Sequence, residues 1–348
     1  MQGLTGSEFR VLQIHPSLRC NLKCQHCYSS SSPESTQELP LELILQAISD
    51  ARTEGYNVLG VSGGEPLLYK PLPLVLQQAR KLGMTTSITT NGILLNQRKI
   101  EDLREHVNLI AISLDGVAQS HNQMRGTSQA FELMTRCLED LREANVCFGF
   151  IFTLTLHNLN ELEIIADFAV EQGASLLQVH PLEEVGRAEE NLVNSAPDEL
   201  ELAYAFLEVA RIQELYADKL QIQFDIASRQ LIRDNPERVF ALDIKDDENV
   251  LNYSLSELVS PLIIENDGSV VPIQYGFSHN YAIGNIKEGS LIQQAKNWKT
   301  SLYQPFLKLS HQVFESLVNT DNSQLPFANW YGLITQASQQ KIAEKVSL

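Results

Sequence analysis

Short apolar runs alternate, through the first half of the chain, with segments whose apolar residues recur every three or four positions. The short runs are typical of buried β-strands, and the recurring pattern is typical of amphipathic helices. The pattern predicts six strands, at Val11–Ile14, Val58–Ser62, Thr85–Thr89, Leu109–Ser113, Val146–Leu154 and Ser175–Val179. It predicts helices between them, at Leu39–Glu54, Leu72–Leu82, Asn96–Arg104, Gln129–Ala144 and Leu159–Gln172. Strands that alternate with helices indicate parallel βαβ units, so the sequence predicts an α/β fold.

The regular alternation stops after about residue 190. Asn266-Asp267-Gly268 lies between two apolar runs, which predicts a β-hairpin. The acidic segment Asp243–Asn249 is interpreted as a solvated loop. The other predicted elements are helices over Asp198–Leu215, over Leu302–Asn319 and after Tyr331, and a strand over Leu220–Asp225. We therefore divide the chain into a core of residues 9–190 and a smaller α+β extension of residues 191–348.

Polar motifs follow the first four predicted strands. A cysteine-rich loop follows the first strand, and Gly63-Gly64-Glu65-Pro66 follows the second. Thr90-Asn91-Gly92 ends the third strand, and Ser113-Leu114-Asp115-Gly116 ends the fourth. In α/β barrels the active site is built from loops at the carboxyl ends of the strands. We therefore expect the four motifs to converge on one site.

The cysteine-rich loop contains Cys20, Cys24 and Cys27, separated by three and then two residues. Thiolates are soft ligands that suit iron–sulfur clusters and zinc. A structural zinc site or an electron-transfer cluster normally has four protein ligands, but the other cysteines, Cys137 and Cys147, are far away in sequence. Three ligands on a four-iron cluster leave one iron open, as catalysis requires. The alternative is a zinc-binding or cluster-binding scaffold without catalysis.

The cysteine spacing resembles the signature of the radical S-adenosylmethionine (SAM) enzymes. The resemblance implies a partial, six-stranded (β/α)6 barrel and one 4Fe-4S cluster. In that family the cluster binds SAM through its open iron and cleaves it to a 5′-deoxyadenosyl radical. The motifs at the other strand ends also resemble those of the family, especially of its peptide- and protein-modifying branch.

The same resemblance implies the residues that contact SAM. Gly63, Gly64 and Glu65 are expected to bind the methionine amino group, since a carboxylate suits an ammonium. Arg125 is expected to face the SAM carboxylate, for which a guanidinium is a planar partner. The remaining cofactor residues are expected to line the same cavity, with Ser113 at the ribose, Val179 at the adenine, His26 packed beside the cluster, and Asn91 and Asp115 at its wall.

The extension resembles the start of a SPASM domain, which normally carries cysteines for auxiliary clusters. Ile273 stands where a cysteine is expected after Pro272, and no cysteine follows Cys147. We therefore expect a single cluster. Three further residues are candidates for catalysis: Cys147 as a hydrogen-atom donor within the barrel, and His180 and Asp225 as acid or base.

The amino-acid composition indicates which partners the protein can bind and in which cellular compartment it is found. The net charge of −17 argues against binding to a nucleic-acid backbone. Five cysteines, three of them packed together, suit a reducing cytoplasm rather than a disulfide framework. No signal peptide and no apolar stretch of about 18 residues is present. We therefore expect a soluble cytoplasmic protein.

The resemblance favours modification of a ribosomally made precursor peptide, by fragmentation of a carbon–carbon bond, epimerisation or cross-linking. Only about ten residues precede the first strand. We therefore expect a separate small recognition protein to present the peptide. A flavodoxin or ferredoxin-type reductant is the expected electron donor. The alternative enzymatic function is radical SAM chemistry on a small molecule such as a tetrapyrrole.

Overall fold

The computed structural model of the protein describes residues 9–239, 250–319 and 327–346. The predicted acidic loop Asp243–Asn249 lies outside these residues. The strands are β1 (Val11–Ile14), β2 (Val58–Val61), β3 (Thr85–Thr90), β4 (Leu109–Ser113), β5 (Phe148–Leu154), β6 (Leu176–Pro181), β7 (Gln221–Phe224), β8 (Ala227–Ser228), β9 (Leu262–Ile264), β10 (Ser269–Pro272), β11 (Gly284–Asn285) and β12 (Phe327–Ala328).

One sheet dominates the described part of the chain, with ten strands in the order β11-β10-β9-β1-β2-β3-β4-β5-β6-β7. Strands β1 to β7 are all parallel to their neighbours, and β9 lies parallel to β1 on its other side. Strands β10 and β11 complete that edge in antiparallel fashion. The short strands β8 and β12 pair with each other outside the main sheet.

The helices connect and cover these strands. They are α1 (Leu41–Thr53), α2 (Leu72–Lys81), α3 (Gln97–Leu103), α4 (Ala118–Arg125), α5 (Ala130–Thr135), α6 (Cys137–Glu143), α7 (Leu162–Gln172), α8 (Ala188–Asn191), α9 (Glu199–Leu215), α10 (Arg229–Asp234), α11 (Leu255–Leu258), α12 (Leu291–Ser301), α13 (Tyr303–Val318) and α14 (Trp330–Val346). Short 3₁₀ helices occupy Pro66–Leu68, Leu159–Glu161, Pro236–Arg238, Val250–Asn252 and His279–Tyr281. Among the described residues, no helix combines the length and apolar character needed to cross a bilayer.

The sequence predictions for the core are confirmed. All six predicted strands are present in a mostly parallel α/β sheet, and the hairpin around Asp267 joins β9 to β10. Asn96 and Asp198, the first residues of two predicted helices, are N-caps whose side chains accept backbone amide hydrogen bonds. The predicted helix over Gln129–Ala144 is divided into α5 and α6. Helix α4 was not predicted, because its sequence is mostly polar.

The extension continues the sheet of the core rather than standing beside it. Strand β7 follows β6 at one edge, and β9 follows β1 at the other. One apolar cluster includes Phe150 of the barrel and Trp298 of the extension. Buried polar contacts fix the junction: Asp50 of α1 accepts hydrogen bonds from Ser290 and Leu291, and Lys299 lies 2.9 Å from Glu54. The division at residue 190 remains a proposal about domain organisation.

Candidate active site at the carboxyl edge of the sheet

The three cysteines of the loop after β1 lie together. Cys20 and Cys24 are buried, and Cys27 is partly exposed beside them. All three thiols are free, and Leu22 and Ile93 form the apolar surroundings of this group. The arrangement therefore presents three sulfur atoms from one short loop, as predicted from their spacing.

Nitrogen donors approach two of these sulfur atoms. The backbone amide of Leu22 donates to Cys20 Sγ over 3.5 Å, and Asn91 Nδ2 lies 3.9 Å from the same sulfur. Arg125 Nη1 lies 3.6 Å from Cys24 Sγ. Hydrogen bonds to sulfur stabilise the negative charge of thiolate ligands and tune the potential of an iron–sulfur cluster. These contacts fit a metal-bound thiolate set.

The chemistry of the donor set also fits a soft metal centre. Burial raises the pKa of the Cys20 thiol to about 12 and also raises the pKa of Cys24. Such thiols keep their protons unless a metal replaces them. His26 has a buried Nδ1 atom without a hydrogen-bond partner in the described part of the chain, next to Cys27. A 4Fe-4S cluster held by Cys20, Cys24 and Cys27 therefore fits the residues present.

The glycines of the turn after β2 allow it to pack directly on the cysteine loop. A Cβ atom on Gly64 would lie 2.2 Å from the carbonyl oxygen of Arg19, closer than any real contact. The Gly64 amide donates to Ser17, and the Glu65 amide donates to Arg19, each over 2.8 Å. Gly63 has a φ of +112°, which favours glycine. These glycines are thus required by the junction of two backbone segments.

The carboxylate of Glu65 is buried and has protein partners. Its Oε1 accepts hydrogen bonds from the Leu67 amide at 3.0 Å and Thr90 Oγ1 at 2.7 Å. Its Oε2 accepts one from the Asn91 amide at 2.9 Å. Burial raises the pKa of Glu65, while these donors oppose the shift. Glu65 therefore joins the turn after β2 to the end of β3, and Oε2 retains one lone pair for another donor.

Asn91 connects the end of β3 to the cysteine loop. Its Nδ2 donates to Asn21 Oδ1 over 2.9 Å, and its Oδ1 accepts from the Ile93 amide at 3.0 Å. The side chain is almost entirely buried. Asn91 thus lies against the cysteine loop, and its contact with the cofactors stays a prediction.

Asp115, after β4, is the most buried charged group of the site. Arg125 Nε lies 2.6 Å from its Oδ2, and His26 and His121 each lie 3.8 Å from one of its oxygens. Burial alone would raise the pKa of Asp115, but the Arg125 guanidinium holds it below its ordinary value. The Asp115 amide donates to His121 Nδ1 over 3.1 Å. Burial lowers the pKa of His121 to about 4, so this ring is neutral.

Arg125 has protein partners in addition to the SAM contact that the resemblance implies, and that contact stays a prediction. Its guanidinium lies between Asp115 and Cys24, within 2.6 Å of the carboxylate and 3.6 Å of the sulfur. Arg125 is also buried at the end of α4. It therefore ties the end of β4 to the cysteine loop. Ser113, at the end of β4, is buried but reaches the edge of the sheet as predicted.

Two predicted site residues are placed where they cannot serve the predicted role. Val179 lies within β6 with no exposed surface, packed in the apolar core, so the predicted contact with adenine is wrong. Cys147 precedes β5, at the amino end of the strand, and is exposed with its Sγ 3.0 Å from Ser175 Oγ. It does not point into the barrel, because the first residues of parallel strands lie on the edge opposite the site.

His180 and Asp225, predicted separately as acid or base, are in direct contact. His180 is the last but one residue of β6, and Asp225 directly follows β7. The Nδ1 atom of His180 contacts Oδ2 of Asp225. Desolvation opposes a charge on the imidazole, but Asp225 outweighs this effect and raises the pKa of His180 above its ordinary value.

Sequence reasoning missed the contacts that close the cysteine loop. Arg187 Nε donates to the Cys24 carbonyl and Nη1 to the Ser31 carbonyl, each over 2.8 Å. A Cβ atom on Gly186 would lie 2.6 Å from the Cys27 carbonyl oxygen. The segment after β6 therefore packs against the cysteine loop. The sequence Gly186-Arg187 is the signal that could have identified this contact.

An aromatic cluster beside the cysteine loop was also missed. His15 stacks on Tyr275 with ring centroids 4.6 Å apart, and Tyr28 meets both rings edge-on. His15 follows β1, whereas Tyr275 belongs to the extension. Only Tyr28 carried a signal in the sequence, since it directly follows Cys27.

Comparison with known proteins defines the class. Residues 14–169 match the family model described as "Radical SAM superfamily". The Fe-coproporphyrin III synthase of Methanosarcina barkeri is 29% identical over 284 residues, which cover 78% of this chain and 69% of that protein. The sporulation killing factor maturation protein SkfB of Bacillus subtilis is 27% identical over 224 residues, which cover 63% of this chain and 54% of SkfB.

Solved structures show the same fold. SuiB of Streptococcus suis bound to S-adenosylmethionine matches with a TM-score of 0.67 and 19% identity, over 86% of this chain and 68% of SuiB. SuiB bound to the precursor peptide SuiA matches with a TM-score of 0.65 and 18% identity, over 86% and 66% of the two chains.

Residues 14–169 form a radical SAM domain, and the chain has the radical SAM fold. The match to the family model supports a radical SAM enzyme. Its cofactors are a 4Fe-4S cluster and SAM, which the radical SAM family uses.

Proposed function

We propose that the protein is a radical SAM enzyme that modifies a ribosomally made precursor peptide. The observation that carries the proposal is the set of three thiols, supplied by one loop at the carboxyl edge of a parallel sheet and approached by Asn91 and Arg125. The peptide substrate is supported by two comparisons: SkfB is described as a maturation protein, and SuiB has been solved with a precursor peptide.

Cys20, Cys24 and Cys27 would hold the cluster. With SAM bound, the cofactors supply a 5′-deoxyadenosyl radical that removes a hydrogen atom from the substrate. Asn91, Ser113 and the Gly63–Glu65 turn are proposed SAM contacts, because they lie at the strand ends around the cysteine loop. Glu65, Asp115 and Arg125 keep these strand ends in place through buried hydrogen bonds and ion pairs. The domain thereby orients the reactants and excludes water.

We propose that the extension is a SPASM-like domain without an auxiliary cluster. Ile273 directly follows β10 with a φ of +71°, and no cysteine follows Cys147 in the sequence. A single cluster favours reactions that do not send an electron from the substrate to a second cluster. Hydrogen return after inversion and fragmentation of a carbon–carbon bond are such reactions, as is cross-linking with another electron route.

The proposed partners are a small recognition protein that presents the peptide and a flavodoxin or ferredoxin-type reductant. Strand β7 lies at one edge of the sheet, and an edge strand can accept a further strand from a bound peptide or protein. Calorimetry with the leader segment of a candidate precursor, alone and with a candidate recognition protein, tests this part. No measurable affinity in either case contradicts it.

The catalytic proposal is tested after anaerobic reconstitution. We expect about four irons per chain and release of 5′-deoxyadenosine from SAM after reduction. The variant Cys24→Ala should lose both, whereas Cys137→Ala should keep both. A colourless wild-type protein that releases no 5′-deoxyadenosine would instead indicate a non-catalytic scaffold.

The peptide substrate is tested by co-expression with a candidate precursor, followed by mass spectrometry. A large mass loss indicates fragmentation, and loss of two hydrogens indicates cross-linking. An unchanged mass with deuterium uptake indicates epimerisation. Active protein that leaves every candidate precursor unchanged contradicts the peptide proposal.

A second candidate substrate is a tetrapyrrole. It is favoured by the 29% identity to Fe-coproporphyrin III synthase over 78% of this chain. Incubation of the reduced, reconstituted protein with SAM and the iron complex of coproporphyrin III separates the two proposals. Conversion of the porphyrin, monitored by its absorbance and mass, supports the tetrapyrrole and contradicts the peptide.

A further inference from the structure

The contact between His180 and Asp225 is built into the register of the sheet. Val179 of β6 pairs with Phe224 of β7, and the Asp225 amide donates to the Val179 carbonyl over 3.0 Å. The next residue of each strand therefore emerges at the same point of the carboxyl edge. His180 and Asp225 meet there because they directly follow this last pair of β6 and β7, of which β7 ends at Phe224 while β6 continues to Pro181.

The Asp225 carboxylate is held by three side chains. Gln178 Nε2 donates to Oδ2 over 3.0 Å, and Gln223 Nε2 donates to Oδ1 over 2.8 Å. His180 Nδ1 is the third partner. Because Nδ1 contacts Asp225, the orientation of the ring is fixed, and Nε2 is the nitrogen that can contact a substrate. Within the described residues, no group bonds Nε2 of His180, and 43% of this side chain is exposed.

The pair lies on the same edge of the sheet as the cysteine loop. The segment that leaves β6 after His180 reaches Gly186, which packs against the Cys27 carbonyl. Glu183 of that segment accepts hydrogen bonds from Gln274 and from Asn329, 3.0 Å away. The segment after His180 thus contacts both the extension and the cysteine loop. A substrate that reaches the cysteine loop would have His180 at the border of its site.

We propose that His180 is a catalytic proton donor to the substrate through Nε2, and that Asp225 is the positioning residue that holds the ring. The inference rests on the proposed function, since it assumes a substrate in this site. In the step, the Nε2–H bond breaks and its electron pair stays on the imidazole. A new bond to hydrogen forms on a basic oxygen or nitrogen atom of the substrate. Asp225 remains a carboxylate, and water returns the proton to the ring.

The charges around the ring favour a donor over a base. Among the described residues, the charged or titratable groups near the His180 ring are Asp225 and Glu183, and Tyr331 lies near Asp225. Asp225 and Glu183 raise the pKa of His180 against the effect of desolvation. The ring is therefore protonated over a wider range of pH than a free histidine. Donor activity should be present below the raised pKa and should be lost as the pH rises through it.

The first experiment measures product formation per 5′-deoxyadenosine released, with the precursor peptide that the wild-type protein modifies. We expect His180→Gln to lower this ratio about 100-fold, because glutamine can donate a hydrogen bond but cannot transfer its proton. Asp225→Asn should move the loss of product formation to lower pH. The matched control is His106→Gln, the same change at a half-buried residue that precedes β4, away from the site. It should keep the wild-type ratio.

The results for these variants distinguish a catalytic proton donor from an ion pair that only stabilises the fold. An unchanged ratio in His180→Gln, or a pH profile that Asp225→Asn does not move, overturns the proposal. If the wild-type protein converts the porphyrin instead of a peptide, the same ratio is measured with that substrate, and only the peptide proposal fails.

A second measurement does not require turnover. In protein labelled with ¹⁵N-histidine, the His180 signal should titrate above the ordinary histidine pKa and shift downward by about one pH unit or more in Asp225→Asn. A signal that titrates at or below the ordinary value, or that Asp225→Asn leaves in place, overturns the proposal. This result stands even if no substrate is modified.

Discussion

Arg125 and Asp115 form a buried ion pair in which Arg125 Nε lies 2.6 Å from Asp115 Oδ2. Both side chains are inaccessible or nearly so, and Arg125 also approaches Cys24 Sγ at 3.6 Å. The pair therefore connects the end of β4, the end of α4 and the cysteine loop. Its position makes the stability of the fold and the retention of the cluster depend on the same contact.

Replacement of Arg125 by alanine should destabilise the protein by about 3–5 kcal/mol, because it leaves the Asp115 carboxylate buried without its main partner. Iron content after reconstitution should fall in parallel. Urea unfolding under anaerobic conditions measures the free energy. The matched control is Arg211→Ala, which removes exposed ion pairs with Glu163 and Glu208 and should have little effect. Equal losses in the two variants would contradict the assignment of a buried role to Arg125.

Gly64→Ala should separate the turn after β2 from the cysteine loop, since the new methyl group would lie 2.2 Å from the Arg19 carbonyl oxygen. Overpacking of this kind typically costs about 1–3 kcal/mol. We expect lower iron retention and weaker SAM binding, measured by iron analysis and calorimetry. Gly60→Ala is the control, because a Cβ atom on Gly60 meets nothing closer than 3.7 Å. Wild-type iron content in Gly64→Ala would show that the backbone junction tolerates the methyl group.

The five cysteines should divide into two groups. Serine at Cys20, Cys24 or Cys27 should abolish 5′-deoxyadenosine release and most iron binding, because each supplies one of three sulfur ligands. Alanine at Cys137, which is buried in α6, or at exposed Cys147 should leave both properties in place. Iron analysis and chromatography of the nucleoside test the division. A substantial loss of cluster in the Cys147 variant would be inconsistent with its exposed position at the amino end of β5.

His15 should make the protein sensitive to mild acid. Burial lowers the pKa of His15 to about 3, from an ordinary value of 6.5. Between these values the unfolded chain binds a proton that the folded protein excludes, so stability falls as the pH drops below 6.5. At pH 5 the cost is about 2 kcal/mol.

The variant His15→Phe tests this effect, because phenylalanine preserves the aromatic packing on Tyr275 without a titrating nitrogen. Urea unfolding at pH 8 and pH 5 gives the change in free energy for each protein. The loss on acidification should be smaller in the variant by about 2 kcal/mol. Equal losses would mean that His15 does not carry this part of the acid sensitivity.

The sequence predicted those residues of the candidate site that directly follow a strand. Glu65, Asn91 and Asp115 each follow a predicted strand, and parallel strands bring their carboxyl ends to one edge of a sheet. Their partners were not predictable in the same way. The resemblance implied a SAM carboxylate as the partner of Arg125, and it gave no sign of the contacts of Arg125 with Asp115 and Cys24.

The placement of Val179 depends on where β6 ends. The predicted strand ended at Val179, which placed it at the edge, but β6 continues to Pro181. Two more residues of strand leave Val179 inside the apolar core. His180 and Asp225 were each predicted as an acid or base, because their side chains can take up and release protons. Their contact depends on the pairing of β6 with β7, which no local pattern encodes.

By itself, the sequence determined the alternation of strands and helices, the three-thiol loop and the polar motifs at the strand ends. These features are local, because apolar periodicity and cysteine spacing depend on neighbouring residues. Only the tertiary structure decided that β7 and β9 extend the sheet and that Tyr275 stacks on His15. It also decided which buried charges are paired. Such contacts join residues far apart in the chain, and their geometry follows from the packing of whole elements rather than from any one segment.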